Sequence, residues 1–285
     1  MWEPVAARLP DGRLHLQQGP IDLVIQVWGE PREVSAAYDQ ARARFADILP
    51  TLVEELPLLR QPIGESPAGP VAQRMRWACL PFCDATFITP MAAVAGAVAD
   101  EMLAATIAGR RLEKAIVNNG GDIAFHLAPG ASFSAGLVAD PDTLEAAGRI
   151  EVGAAVPARG LATSGRHGRS LTRGIADAVT VLAANAASAD AAATLIANAV
   201  DCDDPAIRRQ PAREIDPDSD LGALPVTVAL GALGEAAISR ALAGGLAAAE
   251  LFRAQGLIEA ASLSLRGQRR TTAAFPTPAI RSVPA

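Results

Sequence analysis

"AIVNNGGDIAFHL", residues 115–127, sets two glycines and an aspartate between two apolar runs. "AIV" reads as a buried strand, and "IAFHL" alternates loosely, as a half-buried strand does. Glycine reaches the positive φ that a two-residue turn demands, so paired glycines between such runs are a hairpin signal. The residues predict two strands pairing antiparallel across Gly120-Gly121. The same residues also suit a place where backbone and the Asp122 carboxylate approach a ligand. On these residues alone, turn and ligand wall both stay open.

The chain on either side supplies more strands and several helices. "GRLHLQQGPIDLVIQVW" (12–28) predicts two strands joined at Gly19-Pro20. "EVSAAYDQARARFADILPTLVEEL" (33–56) has helical spacing, with a break expected near Pro50. Residues 57–70, rich in proline and glycine, form a connector that could divide two lobes. "MAAVAGAVADEMLAATIAG" (91–109) predicts a helix of small residues that stops at Gly109. That helix suits close packing in the core or a homodimer interface.

Beyond the hairpin, "SFSAGLV" and "RIEVGAAV" read as strands, and 160–177 as a loop rich in glycine and hydroxyls. "AVTVLAA" reads as a strand, "SADAAATLIANAV" (188–200) as a helix, and 201–220 as an exposed acidic loop. A strand, a helix and a further strand follow, and the proline-containing tail 271–285 reads as disordered. Strands outnumber what strict βαβ alternation would give. The fold class predicted is α+β: a single domain over 1–285 with a mixed, largely antiparallel sheet and packed helices.

The chain has 285 residues, of which 50% are hydrophobic and only 4% aromatic, so its core must be built from small aliphatic side chains. A net charge of -6 argues against nucleic acid as a partner. Three cysteines are an odd number, and Cys79 and Cys83 lack the second pair that a structural zinc requires. The N-terminal residues lack the basic and apolar regions of a signal peptide, and no membrane span is expected. These features lead to the expectation of a cytoplasmic protein.

Two further motifs carry oxygen chemistry. Asp190 and Thr194, four residues apart at a helix start, share one face and offer hard oxygen ligands suited to Mg²⁺ or Ca²⁺. The competing reading is capping, with Ser188 or Asp190 holding free N–H groups of that helix and Thr194 packing. "ATSGRHGRS" (162–170) supplies hydroxyls at Thr163, Ser164 and Ser170, flexible backbone at Gly165 and Gly168, and two arginines that could neutralise phosphate. It is neither a Walker loop nor a dinucleotide fingerprint. His15 and His126 lie in strand-like runs and read as structural, whereas His167 reads either as an exposed side chain or as a catalyst.

The order of these motifs, "NNGGDI", "ATSG", "RG", "DAVTV" and "ADAAAT", resembles the ApbE family, flavin transferases that move FMN from FAD onto a protein threonine. It is most similar to a branch of short cytoplasmic members from bacteria and archaea. The resemblance covers roughly residues 85–200. It implies an ApbE-like layered fold and places Asn118, Gly120, Gly121 and Asp122, with Thr163, Ser164 and Gly165, beside a bound FAD or other flavin nucleotide. It implies that Asp190 and Thr194 hold the divalent metal, that His167 is catalytic, and that an acceptor protein is a partner. The chain departs from the family's "HIIDPRTG" with "HGRSLTRG" (167–174), where only His167 and Gly174 match. It also lacks a lysine near 89–100. A flavin-binding module without transfer, or a purely structural subunit, are the alternatives.

Overall fold

The computed structural model describes residues 2–140 and 145–273. The chain opens with strands β1 (Val5–Arg8), β2 (Leu14–Gln18) and β3 (Ile21–Gly29), followed by helices α1 (Pro31–Phe45), α2 (Ile48–Leu59), α3 (Pro70–Cys79) and α4 (Val94–Ile107). Next come strands β4 (Leu112–Asn119), β5 (Asp122–Leu127), β6 (Ser132–Asp140), β7 (Glu145–Gly153), β8 (Gly160–Ser164) and β9 (Ala178–Ala183). The remainder is α5 (Ala186–Ala199), β10 (Ile207–Pro211), α6 (Ala212–Ile215), β11 (Pro225–Leu230), α7 (Glu235–Ala254), β12 (Ala260–Leu265) and β13 (Gln268–Thr271).

One nine-stranded sheet, in the order β1-β2-β3-β4-β5-β8-β9-β12-β13, organises the molecule. The class is α+β, as the motif pattern predicts. Every neighbouring pair in the large sheet is antiparallel, so the sheet is not mixed. The opening hairpin forms as expected. Asn119 faces Asp122 across a two-residue turn, and Gly120 (φ 64°) and Gly121 (φ 112°) both have positive φ.

Alternation along the strands separates two cores. Ala124, Ala162, Val181 and Ala261 face the helices and join the main cluster, which runs from Leu14 to Leu265 and includes residues on both sides of 57–70. Their neighbours Phe125, Leu161, Leu182 and Ala260 face the other way. There they pack beneath the β6–β7 hairpin, with Phe125 stacked on Phe133 at 4.3 Å between ring centroids.

Several local expectations are corrected. The break in the first helical region falls at Ala46–Asp47, and Pro50 sits in the first turn of α2, where its missing N–H costs no intrahelical bond. The segment 160–177 is not all loop, because its first five residues form β8 in the middle of the sheet. Gly160 is there for contact rather than flexibility, since a Cβ would meet Asn185 backbone carbon at 2.0 Å. Residues 201–220 are not all loop either and contain β10 and α6. Of the tail expected to be disordered, Thr271 closes β13, and residues from 274 onward lie outside the described residues.

The small-residue helix is a core element. Residues 90–107 are long and apolar enough to cross a membrane by length and composition, with mean hydropathy 1.3. Here α4 packs against α1, α3, α5, β4 and β5. Glu101 on α4 accepts from Arg44 Nε and Arg74 Nε, both at 2.9 Å, which ties it to α1 and α3. Gly96 touches the start of α5 so closely that a Cβ would lie 2.3 Å from the Ala186 carbonyl oxygen. Gly96→Ala should therefore cost about 1–3 kcal/mol or more, as overpacked cores do. Gly136→Ala, with open space around the added methyl, should be close to neutral. Denaturant midpoints of the two variants against wild type check the contrast, and equal midpoints would refute the close contact.

Candidate functional site

Asn119 and Asp122 form a cross-strand pair at the tip of the hairpin, so their side chains share a face. Val117 and Ala124, two residues away along each strand, belong to the helix-side core, which places Asn119 and Asp122 on that same side. Strands β5 and β8 pair only at Ile123–Leu161 and Ala124–Gly160. Next to this short ladder Asp122 spans between the strands, accepting from the Thr163 N–H at 3.3 Å.

The starts of α4 and α5 meet here, and each helix caps the other. Asp100 of α4 accepts from the N–H groups of Ala186 (3.0 Å) and Ala187 (2.8 Å) at the start of α5. Asp190 of α5 accepts from the N–H of Gly96 (3.0 Å) in the first turn of α4. The helix starting at Ala186 takes its own N-cap from Asn185, whose Oδ1 accepts from Ser188 N–H at 2.8 Å. Neither Ser188 nor Asp190 caps that helix, because it begins two residues earlier than the pattern suggests. Asp190 does cap, but across the interface, and Thr194 lies one turn further along with a half-buried side chain.

Burial raises the carboxyl of Asp122 to about 7, against the opposing pull of the Thr163 N–H and the charge of Arg169. Asp190 is raised well above the usual carboxylate range by burial first and by the charge of Asp122 second. Burial likewise raises Asp100. Asp122 and Asp190, 68 residues apart in sequence, are thus close enough for the charge of Asp122 to act on Asp190. Burial also pushes up the Cys79 thiol, with the charges of Asp190 and Asp220 adding to it.

The other predicted residues divide by role. Asn118 lies on the opposite face from Asn119 and holds the turn, accepting from Gly121 N–H at 2.8 Å. Gly120 is overlain by Arg169, whose Nη2 would be 2.5 Å from an added Cβ and whose Nη1 donates to the Pro20 carbonyl (3.2 Å). Thr163 turns its hydroxyl to Thr180 (2.9 Å), so only its main chain reaches Asp122. Ser164 pairs with Val179, a helix-side core residue, and so faces the acids. Gly165 fits because a Cβ would meet the Asp177 carbonyl oxygen at 2.4 Å.

His167 is drawn elsewhere. Its Nε2 lies 3.6 Å from Asp177 Oδ1, the oxygen that also accepts from Arg166 Nε at 2.7 Å. Asp177 further accepts from the Arg266 N–H, which pins the 165–168 turn to the β12–β13 hairpin.

Asn119, Asp100 and Gly96 escape the motif reading. Asn119 donates from Nδ2 to the Ala95 carbonyl (3.0 Å), and its Oδ1 is buried with no hydrogen-bond partner. The available signal was the adjacent carboxylates Asp100 and Glu101 in a helix of mostly small and apolar residues. Among the described residues, no group of three or more His, Cys, Asp or Glu side chains is placed to hold a metal ion.

These features define a class: an antiparallel α+β protein with a pair of carboxyls, Asp122 buried and Asp190 half-buried, set between a glycine hairpin and two helix starts. A family model described as AbpE bacteria matches residues 6–271, and the chain belongs to that family. No curated protein matches the chain.

The raised Asp122 carboxyl sets a pH dependence. Below about 4 it is protonated in both folded and unfolded chains, given its ordinary value of 3.8. Between there and about 7 the folded chain keeps a proton that the unfolded chain releases, so stability falls as pH rises through this window. Asp100 and Asp190 act in the same direction. Asp122→Asn should therefore melt with a shallower decline between about pH 4 and pH 7 than wild type. A decline as steep as that of wild type in thermal scans would remove Asp122 from this account.

Proposed function

We propose that the chain binds a phosphorylated cofactor of the flavin-nucleotide type together with a divalent cation, Mg²⁺ or Ca²⁺, where the Gly120-Gly121 hairpin meets the starts of α4 and α5. The observation that carries this reading is the pair Asp122 and Asp190, a buried and a half-buried carboxyl, both raised by burial, with the charge of Asp122 raising Asp190 further. A buried acid pair is costly unless it is protonated or faces a cation. The donors are all oxygen, which suits a hard cation. Asp122, Asp190 and Thr194 would hold it, and the orphaned Oδ1 of Asn119 adds a further buried acceptor near α4. When bound, the cation supplies charge neutralisation to phosphate oxygens.

The residues around the pair suit the anionic ligand. Gly120 and Gly121 let backbone approach it without side-chain obstruction, and Arg169 lies over Gly120 with its guanidinium. Ser164 adds a hydroxyl on the same side of the sheet. The motif order shared with the ApbE family is what points to a flavin among phosphorylated ligands.

For the reaction, a diverged FMN transfer to an acceptor protein is the enzyme reading, with His167 as its catalytic group. Non-catalytic flavin binding is the second reading. The orientation of His167 favours the second, since its Nε2 faces Asp177.

Calorimetric titration of FAD into wild type and Asp190→Asn, each with and without Mg²⁺, tests the site. Asparagine can still accept from Gly96 N–H, so the variant should fold. Wild type should bind FAD at least about tenfold more tightly with Mg²⁺, and the variant should lose that gain. Equal affinities in all four titrations would reject the metal role of Asp190. Absence of FAD binding throughout would reject the flavin. Transfer of FMN to a threonine-containing acceptor, lost in His167→Ala with FAD affinity kept, would decide for the enzyme.

A further inference from the structure

A cavity of about 510 Å³ opens near the other end of α5, between α7, β11 and the segment that follows α3. Its lining residues Leu195, Asn198 and Ala199 begin one turn beyond Asp190 along α5. Asn198 is two turns from Asp190, roughly 12 Å along the axis. The volume lies within the roughly 300–1,000 Å³ common to small-molecule sites.

The walls have two characters. One is apolar, built on Phe82 and Phe252, whose rings lie 4.8 Å apart and tilted by 58°, with Leu195 and Leu251. The other is cationic. Arg209 and Asp201 both line the cavity and pair with each other, so they cancel. Arg173 is different. Its main chain is fixed on both sides: the N–H donates to Asn198 Oδ1 at 3.0 Å, and the carbonyl accepts from Thr227 Oγ1 at 3.3 Å. Its side chain forms no ion pair or hydrogen bond among the described residues, and Nε is buried without a partner. A guanidinium cannot shed its proton at neutral pH, and a buried donor with no acceptor is costly. Arg173 therefore adds one uncompensated positive charge to a cavity with an apolar wall, in a chain whose net charge is -6.

We infer that this cavity is a binding site for a small monoanionic carboxylate with an apolar, ring-containing body, with Arg173 holding the carboxylate and the Phe82–Phe252 wall holding the ring. A single negative charge matches the single free guanidinium, and a planar carboxylate matches its fork of donors. A phosphate ester would bring a second negative charge next to Asp201 with no cation to meet it. The site is independent of the acid pair between α4 and α5.

The test uses 4-phenylbutanoate, its neutral amide and phenyl phosphate as probes, titrated into the full chain by calorimetry and by saturation-transfer NMR. The acid should bind about ten- to hundredfold more tightly than the amide, the span of one charged hydrogen-bonded contact. Arg173→Gln should erase that preference, and Arg173→Lys should keep part of it. Ala248→Phe, which fills the cavity from α7 without touching the charge, should abolish binding of both acid and amide. Asp190→Asn should leave the acid's affinity unchanged, which separates this site from the flavin reading. Equal binding of acid and amide, no binding of either, a preference kept in Arg173→Gln, or unchanged affinity in Ala248→Phe would each overturn the assignment. Tighter binding of phenyl phosphate than of the carboxylate would overturn the monoanion.

Discussion

Two aspartates exchanged between two helices hold this fold together. Asp100 reaches from α4 to the first N–H groups of α5, and Asp190 reaches from α5 to the first turn of α4. A helix start leaves N–H groups without intrahelical partners, and burying them unpaired costs free energy. Both starts are buried here, so neither helix can end where it does unless the other is in place. The close approach of Gly96 to Ala186 follows from the same demand, because a carboxylate must come within about 3 Å of a neighbouring backbone.

The same exchange makes the neighbourhood acidic. Asp190 satisfies α4 but cannot avoid the charge of Asp122. Positive ends of two helix dipoles offset part of that charge, and Arg169 offsets more on the Asp122 side. What remains is an oxygen-rich, electron-rich corner at the edge of a hairpin. The architecture thus gathers carboxyl oxygens at one corner as a by-product of joining two helices.

How much of this could be read in the sequence depends on range. The hairpin was legible because its determinants, two glycines between apolar runs, are local. The strand β8 was not, because "GLATS" has the composition of a loop, and only its burial between β5 and β9 makes it a strand. The grouping of Asp122, Thr163 and Asp190 was anticipated from motif order. The choice between Asn118 and Asn119 was not, because a one-residue difference in a pleated strand reverses the face. Asp190 read as a cap for its own helix was a reasonable local inference that failed for a non-local reason: the N–H it accepts from is 94 residues away. His167 sits where the motif places it, yet Asp177, the first residue of the "DAVTV" motif, redirects it.

The distance between the exchanged aspartates bears on how the chain comes to be folded. Asp100 is made before the N–H groups that it accepts from, which lie 86 and 87 residues later. Until α5 leaves the ribosome, α4 has an uncapped start and an apolar surface long enough to pass for a membrane segment. Contacts of such long sequence separation form slowly, and folding intermediates with exposed apolar helices aggregate readily. The joint that gives the finished molecule its order is one that its growing chain must wait more than eighty residues to close.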